Sequence, residues 1–186
     1  MNTDFLYIVP FLALLIPFFA LLAAIYIPKK ILFNQQFASL TEQYRSTEMG
    51  FAIHSLFSFY VNDCGNNPDN IYKKYIERFN REIKEPLAKY EKIDPSKILH
   101  FQRRLVAYFY WDLSRLYFES RPGLKKKQLA QMVEAKERKL ISLVLQMSEA
   151  NAACFASAEN ISEPPDDDVP MNNLLHRLYQ KSEDWV

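Results

Sequence analysis

Glycine is nearly missing from this 186-residue sequence: it occupies three positions, about 1.6% against a usual share of roughly 7%. With Gly50, Gly65 and Gly123 alone, no Gly-rich phosphate loop and no dinucleotide fingerprint can be written. The tight primed hairpins of an all-β fold lose their preferred residue as well. Histidine and cysteine are just as sparse. His54, His100 and His176 are far apart, and none has Glu three residues before it, as the pairs of di-iron bundles require. H-E-x-x-H, C-x-x-C, G-x-S-x-G and the Arg-x(4–6)-His of helical ribonucleases do not occur. The expectation is therefore no metal, no cofactor and no motif-borne catalytic residue. Cys64 and Cys154, two thiols 90 positions apart, are expected to be free, Cys154 in the core and Cys64 in a loop.

What the sequence has instead is aromatic side chains (14 Phe, 11 Tyr, 2 Trp) and one long apolar run. Phe5 to Ile27 is 23 residues without a charge, interrupted only by Pro10 and Pro17. At ~1.5 Å per residue it spans about 34 Å, enough for a hydrocarbon core of ~30 Å. A cleaved signal peptide is the rival reading. Against it stand Asp4 without any Lys or Arg before the run, a run longer than 7–15 residues, and no A-x-A-like site before Pro28. Lys29 and Lys30 come directly after the run, so the positive-inside rule places the N-terminus outside and the rest of the chain in the cytoplasm. In that compartment the sequon Asn160-Ile161-Ser162 is a chance match. Pro10 and Pro17, seven residues apart, are expected to bend the helix in one direction.

Beyond the run, apolar residues recur at helical spacing. Phe33, Phe37, Leu40 and Tyr44 form one stripe and Met49, Ile53, Leu56 and Tyr60 a second, offset near Gly50, where a bend is expected. Asn62 to Asn70 is a dense turn cluster. A second helix is predicted from Ile71 to about Glu85, with Tyr72, Tyr75, Ile76, Phe79 and Ile83 inward and Pro86 ending or kinking it. Asp94-Pro95 reads as the start of a third helix reaching about Ser120. A fourth is predicted from about Leu124 to Ala158, then an acidic Pro-rich linker, Glu163 to Pro170, and a short amphipathic helix through Leu174, Leu175, Leu178 and Tyr179. The expected fold class is all-α: a transmembrane anchor (1–28), a cytoplasmic helical bundle of about four helices (29–160), and an acidic linker with a short C-terminal helix (161–186). Removing this last part is expected to leave the remaining helices intact.

The third helix is apolar on one face through Ile98, Leu105, Phe109, Leu113 and Leu116, widened by Val106 and Tyr117. The other face mixes charges and rings: Arg104, Tyr108, Trp111, Asp112, Arg115 and Glu119. Ion pairs are available along it, Arg104–Asp112, Asp112–Arg115 and Arg115–Glu119. It is the candidate partner- or anion-binding surface, with guanidinium groups stacked on rings. Residues 95–127 carry a net +6 and residues 161–186 a net −4, so basic centre and acidic tail have opposite partners to seek. Lys29, Lys30, Lys125, Lys126 and Lys127 are candidate lipid-facing basic residues. Nucleic acid is not an expected partner, because the basic excess is small.

An apolar N-terminal anchor, a helical cytoplasmic part, and Arg103-Arg104 with the aromatic run Tyr108-Phe109-Tyr110-Trp111 after it together resemble small bacterial membrane-anchored helical proteins of the domain-of-unknown-function type. The resemblance rests on layout and on Ile98 to Arg121, and it implies a bacterial origin without any assigned activity. The expected function is a single-pass anchored interaction or regulatory protein. It presents its helical domain to a protein partner, or to a second copy, at the inner membrane surface. The alternative is a membrane-attached enzyme or effector with a site assembled around the Arg/Asp/aromatic face of the third helix.

Overall fold

The computed structural model describes residues 4–89, 91–119, 124–133, 135–156 and 168–182, the side chains of 4–16, 124–126, 135, 155–156 and 168–169 excepted. Among the described residues every regular element is helical and no strand occurs. The chain divides into two compact units, Met1–Ser39 and Leu40–Val186.

The first unit is one helix, α1 (Asp4–Tyr44), whose last five residues belong to the second unit. A sequence rich in Leu and Ala and without a single glycine carries it through Pro10, Pro17 and Pro28 without a break. Phe18, Phe19, Leu21, Ile25, Tyr26, Ile31 and Leu32 are all exposed. The stretch Pro17–Tyr44 is long and apolar enough to cross a membrane, and its most apolar 18-residue window is only 6% buried. A core helix of the same composition would be covered instead.

In the second unit, α2 (Thr47–Ser58) starts where Ser46 turns extended and its Oγ accepts the Met49 N–H at 3.1 Å, an N-cap. The chain therefore turns at Arg45–Ser46, and Gly50, the expected bend, lies inside α2. Met49, Ala52 and Leu56 form its buried stripe. A π-helical turn, Phe59–Asp63, comes next. Gly65 and Asn66 then take left-handed conformations (φ 63° and 59°), and the Tyr60 hydroxyl pins the turn by donating to the Asn66 carbonyl at 2.6 Å.

Helix α3 (Ile71–Phe79) buries Ile71, Tyr75 and Phe79. Tyr72, expected inward, is half exposed, because it sits 100° from Ile71 and the domain covers only one narrow stripe. A second π-turn, Asn80–Lys84, leads directly into α4 (Glu85–Ala88). Pro86 thus does not end the helix: the wider turn before it shifts the hydrogen-bond register, and the proline falls in a first turn, where its missing N–H costs nothing.

Asp94 caps a 3₁₀ turn, Pro95–Lys97, and Ile98 is extended, so α5 (Leu99–Glu119) begins later than the Asp94-Pro95 signal predicts. The expected fourth helix is two, α6 (Leu124–Ala130) and α7 (Ala135–Ala156). Asp168 to Pro170, expected in the linker, form the first turn of α8 (Asp168–Ser182); residues 161–167 lie outside the described ones.

Helix α3 packs on α7, α2 on α5, and α8 on both α5 and α7. The core is built from Leu56, Phe59, Val106, Phe109, Leu113, Leu140, Val144 and Met147, closed by Met171, Leu175 and Leu178 of α8. The C-terminal helix is therefore part of the core and not an appendage, since its buried apolar stripe covers the two central helices.

Candidate functional site

Helix α5 carries two polar arrangements on different faces. The outer one contains the residues singled out by composition. Arg104 Nη2 donates to the Tyr108 hydroxyl at 2.9 Å, and its guanidinium lies 5.5 Å from that ring's centre. Tyr108 meets Trp111 edge-to-face at 6.1 Å, and the Arg115 guanidinium lies 5.8 Å over Trp111. The i,i+4 spacing places each arginine one turn from its ring, which is why the stack forms along a single helix.

The ion-pair ladder expected along this face does not form. Arg104 folds towards Tyr108 and Arg115 back towards Trp111, so Asp112 makes no ion pair among the described residues. Only Arg115–Glu119 is present, at 3.9 Å between exposed side chains. The result is a half-exposed row of two guanidinium groups and two rings, with Asp112 and Glu119 beside it. Of the candidate lipid-facing lysines, Lys29 and Lys30 are exposed on α1 and Lys127 on α6; the side chains of Lys125 and Lys126 lie outside the described ones.

The inner arrangement was not foreseen. Arg103, next to Arg104 in sequence, is fully buried, and its Nη1 donates to Ser148 Oγ of α7 at 2.5 Å. One turn earlier, buried His100 brings Nδ1 to 3.2 Å from the Tyr75 hydroxyl, which also lies 3.4 Å from Asn151 Oδ1. Burial, and after it the charges of Arg103 and Arg104, push the His100 imidazole down to about 3, against a hydrogen bond to Asn151. His100 is thus a neutral partner in a polar core, not a proton carrier at pH 7. The signal for this layer is the stripe His100, Arg103, Ala107, Tyr110, Ser114 and Tyr117, which steps by three and four just as the apolar face does.

A third cluster ties this core to the π-turns. Arg78 reaches Asp63 through Nη1 at 2.6 Å and Glu82 through Nε at 2.5 Å, with its guanidinium 5.9 Å over Phe59. Glu82 Oε2 in turn accepts the Leu99 N–H at 2.9 Å, capping α5. Cys64 and Cys154 are both buried free thiols, so the loop position expected for Cys64 is a covered one. Burial, with Asp63 second and Lys74 opposing, pushes the Cys64 thiol up to about 11, and burial raises Cys154 too.

Among the described residues no three His, Cys, Asp or Glu side chains gather where a metal ion would sit. No protein-family model matches this chain, and no curated protein or solved structure matches it.

Proposed function

We propose that this protein is a single-pass membrane-anchored interaction or regulatory protein, whose helical bundle presents the outer face of α5 to a protein partner at the inner surface of a bacterial membrane. The observation that carries the reading is the pairing of an uncovered apolar helix with a well-packed domain that displays stacked guanidinium groups. Apolar side chains exposed along α1 from Phe18 to Leu32 are stable only in a lipid or detergent environment. Lys29 and Lys30 at the end of the apolar run favour the cytoplasmic side for the helical bundle.

On α5, Arg104 and Arg115 are held by rings rather than by tight carboxylates, so a partner meets them already oriented. Ring-supported arginines of this kind, with Tyr and Trp, are the residue types that dominate protein interfaces. Asp112 and Glu119 on the same face suit a partner of mixed charge rather than a nucleic acid.

Two experiments test the reading. A reporter fused after Val186 is expected to be active only in the cytoplasm, and the chain is expected to resist alkaline extraction; periplasmic activity or alkaline release overturns the anchor. A photo-crosslinking residue at Tyr108 is expected to trap a partner in native membranes, and Arg104→Glu with Arg115→Glu to abolish the adduct. An adduct that survives the double charge reversal overturns the assignment of the face.

A further inference from the structure

The outer face of α5 is complementary to itself when read from its two ends. Counted outward from Tyr108, Leu105 and Trp111 stand three positions away, Arg104 and Asp112 four, and Phe101 and Arg115 seven. At about 100° per residue Tyr108 lies in the middle of this face, and the two members of each pair fall on either side of it. Every pair joins groups that attract: an aliphatic chain with an indole, a guanidinium with a carboxylate, a ring with a guanidinium. Phe101 is 39% exposed, Arg115 is exposed, and the others are half-buried, so a partner can reach them all.

Within one chain the central charges do not meet. Arg104 and Asp112 are eight positions apart, about 12 Å along the helix. Arg104 gives one N–H to the Tyr108 hydroxyl at 2.9 Å and keeps others for a further acceptor. A second copy laid antiparallel, Tyr108 against Tyr108, brings Arg104 of each copy level with Asp112 of the other. A parallel pair sets Arg104 against Arg104 and Asp112 against Asp112, which repel. Sliding the antiparallel copy until Arg104 meets Glu119 leaves Asp112 without a cation, and Glu119 already has Arg115 at 3.9 Å. Charge therefore selects both the direction and the register.

We propose that this face is a self-recognition surface: two copies pair antiparallel about a two-fold axis at Tyr108, with Arg104 of each ion-paired to Asp112 of the other. Arg115 over the Phe101 ring and Leu105 against Trp111 flank the centre. The pairing rests on the interface reading of this face and names the partner as a second copy of this chain. A two-fold axis normal to the bilayer leaves both N-terminal helices in one membrane. Confinement there raises the effective concentration, so a face one helix long suffices.

Self-association of the purified full-length chain in liposomes, read by energy transfer between C-terminally labelled copies, tests the pairing. Arg104→Asp and Asp112→Arg are each expected to weaken it about tenfold or more, and the double variant to return within about threefold of the parent. A double variant as weak as the single ones overturns the pairing, because exchanged charges rescue only a contact between copies. Thiols report the register independently of the charges. Tyr108→Cys is expected to give a covalent dimer under mild oxidation, while Glu119→Cys, about 33 Å from its counterpart, stays monomeric. The native Cys64 and Cys154 are buried in both variants. Crosslinking through Glu119→Cys overturns the antiparallel register, and the thiol variants decide the matter if a charge variant fails to fold. A parent chain that is monomeric in liposomes overturns the second copy as partner. In that case a Tyr108 adduct with another protein in native membranes still keeps the face an interface, and its absence removes that reading too.

Discussion

Arg78 and Asp63 meet at 2.6 Å across the gap between α3 and the π-turn that ends α2. The same guanidinium holds Glu82 in the second π-turn, and Glu82 holds the first N–H of α5. One side chain thus joins both irregular turns to the start of the central helix, and the chain direction at three places depends on it. The guanidinium is desolvated by half-burial, yet its ionised form is favoured overall by Glu82 and Asp63.

Arg78→Gln is expected to lower stability by about 1–3 kcal/mol, below the usual cost of breaking a deeply buried pair because these side chains keep partial solvent access. Thermal unfolding monitored by far-UV circular dichroism checks this. An unchanged Tm would show that the two π-turns hold their geometry without the arginine.

Neighbouring arginines are expected to differ sharply. Arg103→Ala removes a fully buried side chain from the contact of α5 with α7 and is expected to cost about 3–5 kcal/mol. Arg104→Ala, on the half-exposed outer face, is expected to cost less than about 1 kcal/mol. Urea titration of the two variants gives the comparison, and equal losses would contradict the placement of the two side chains.

Stability is expected to fall as pH drops from about 6.5 towards 5. The folded state holds His100 neutral down to about 3, whereas the unfolded chain takes up its proton near 6.5. Between those values the unfolded state binds more protons, so acid favours unfolding, by up to about 1.4 kcal/mol per pH unit. The effect is absent above the unfolded value. His100→Gln is expected to flatten the profile between pH 7 and 5, and a variant that keeps the parent slope would remove His100 as its source.

Both thiols are expected to be silent in the native protein. Cys64 and Cys154 are buried and poorly ionised, so labelling by a thiol-specific disulfide reagent at pH 8 should be about 100-fold slower than in denaturant. Rapid native labelling of either would show that its helix end opens readily.

Truncation before α8 is expected to unfold the second unit. Met171, Leu175 and Leu178 are almost completely buried, and each contributes about 1.5–3 kcal/mol, together comparable to the whole stability of a domain. Limited proteolysis of a chain ending at residue 160 should show rapid digestion of α5 and α7. Retained protection would return the tail to the role of an appendage.

The helical class and the long apolar run were legible directly. Of the stripe Leu129, Met132, Val133, Leu140, Val144, Met147 and Cys154, read on one continuous helix, all but half-buried Met132 are buried, although Met132 and Val133 fall in the break between α6 and α7. The caps were half legible: Asp94 does cap, but a 3₁₀ turn, and Ser46 turns the chain four residues before Gly50, where the offset between stripes suggests a bend. The outer face of α5 was legible in its residues and not in its pairing. Arg104, Tyr108, Trp111 and Arg115 stack as their i,i+4 spacing allows, yet the choice of rings over Asp112 is a competition of similar small energies that spacing does not rank.

Sequence alone determined that this chain is helical and that its N-terminal helix is too apolar to be an ordinary surface element. It did so because periodicity and hydropathy are properties of the local chain. Tertiary structure decided which of Arg103 and Arg104 is buried, since the answer lies with Ser148, 45 positions away. In the same way Tyr75, 25 positions from His100 and 76 from Asn151, decides that His100 belongs to the core. A helix specifies the angles between its own side chains, but only the polar groups of the helices packed against it choose which of them faces inward.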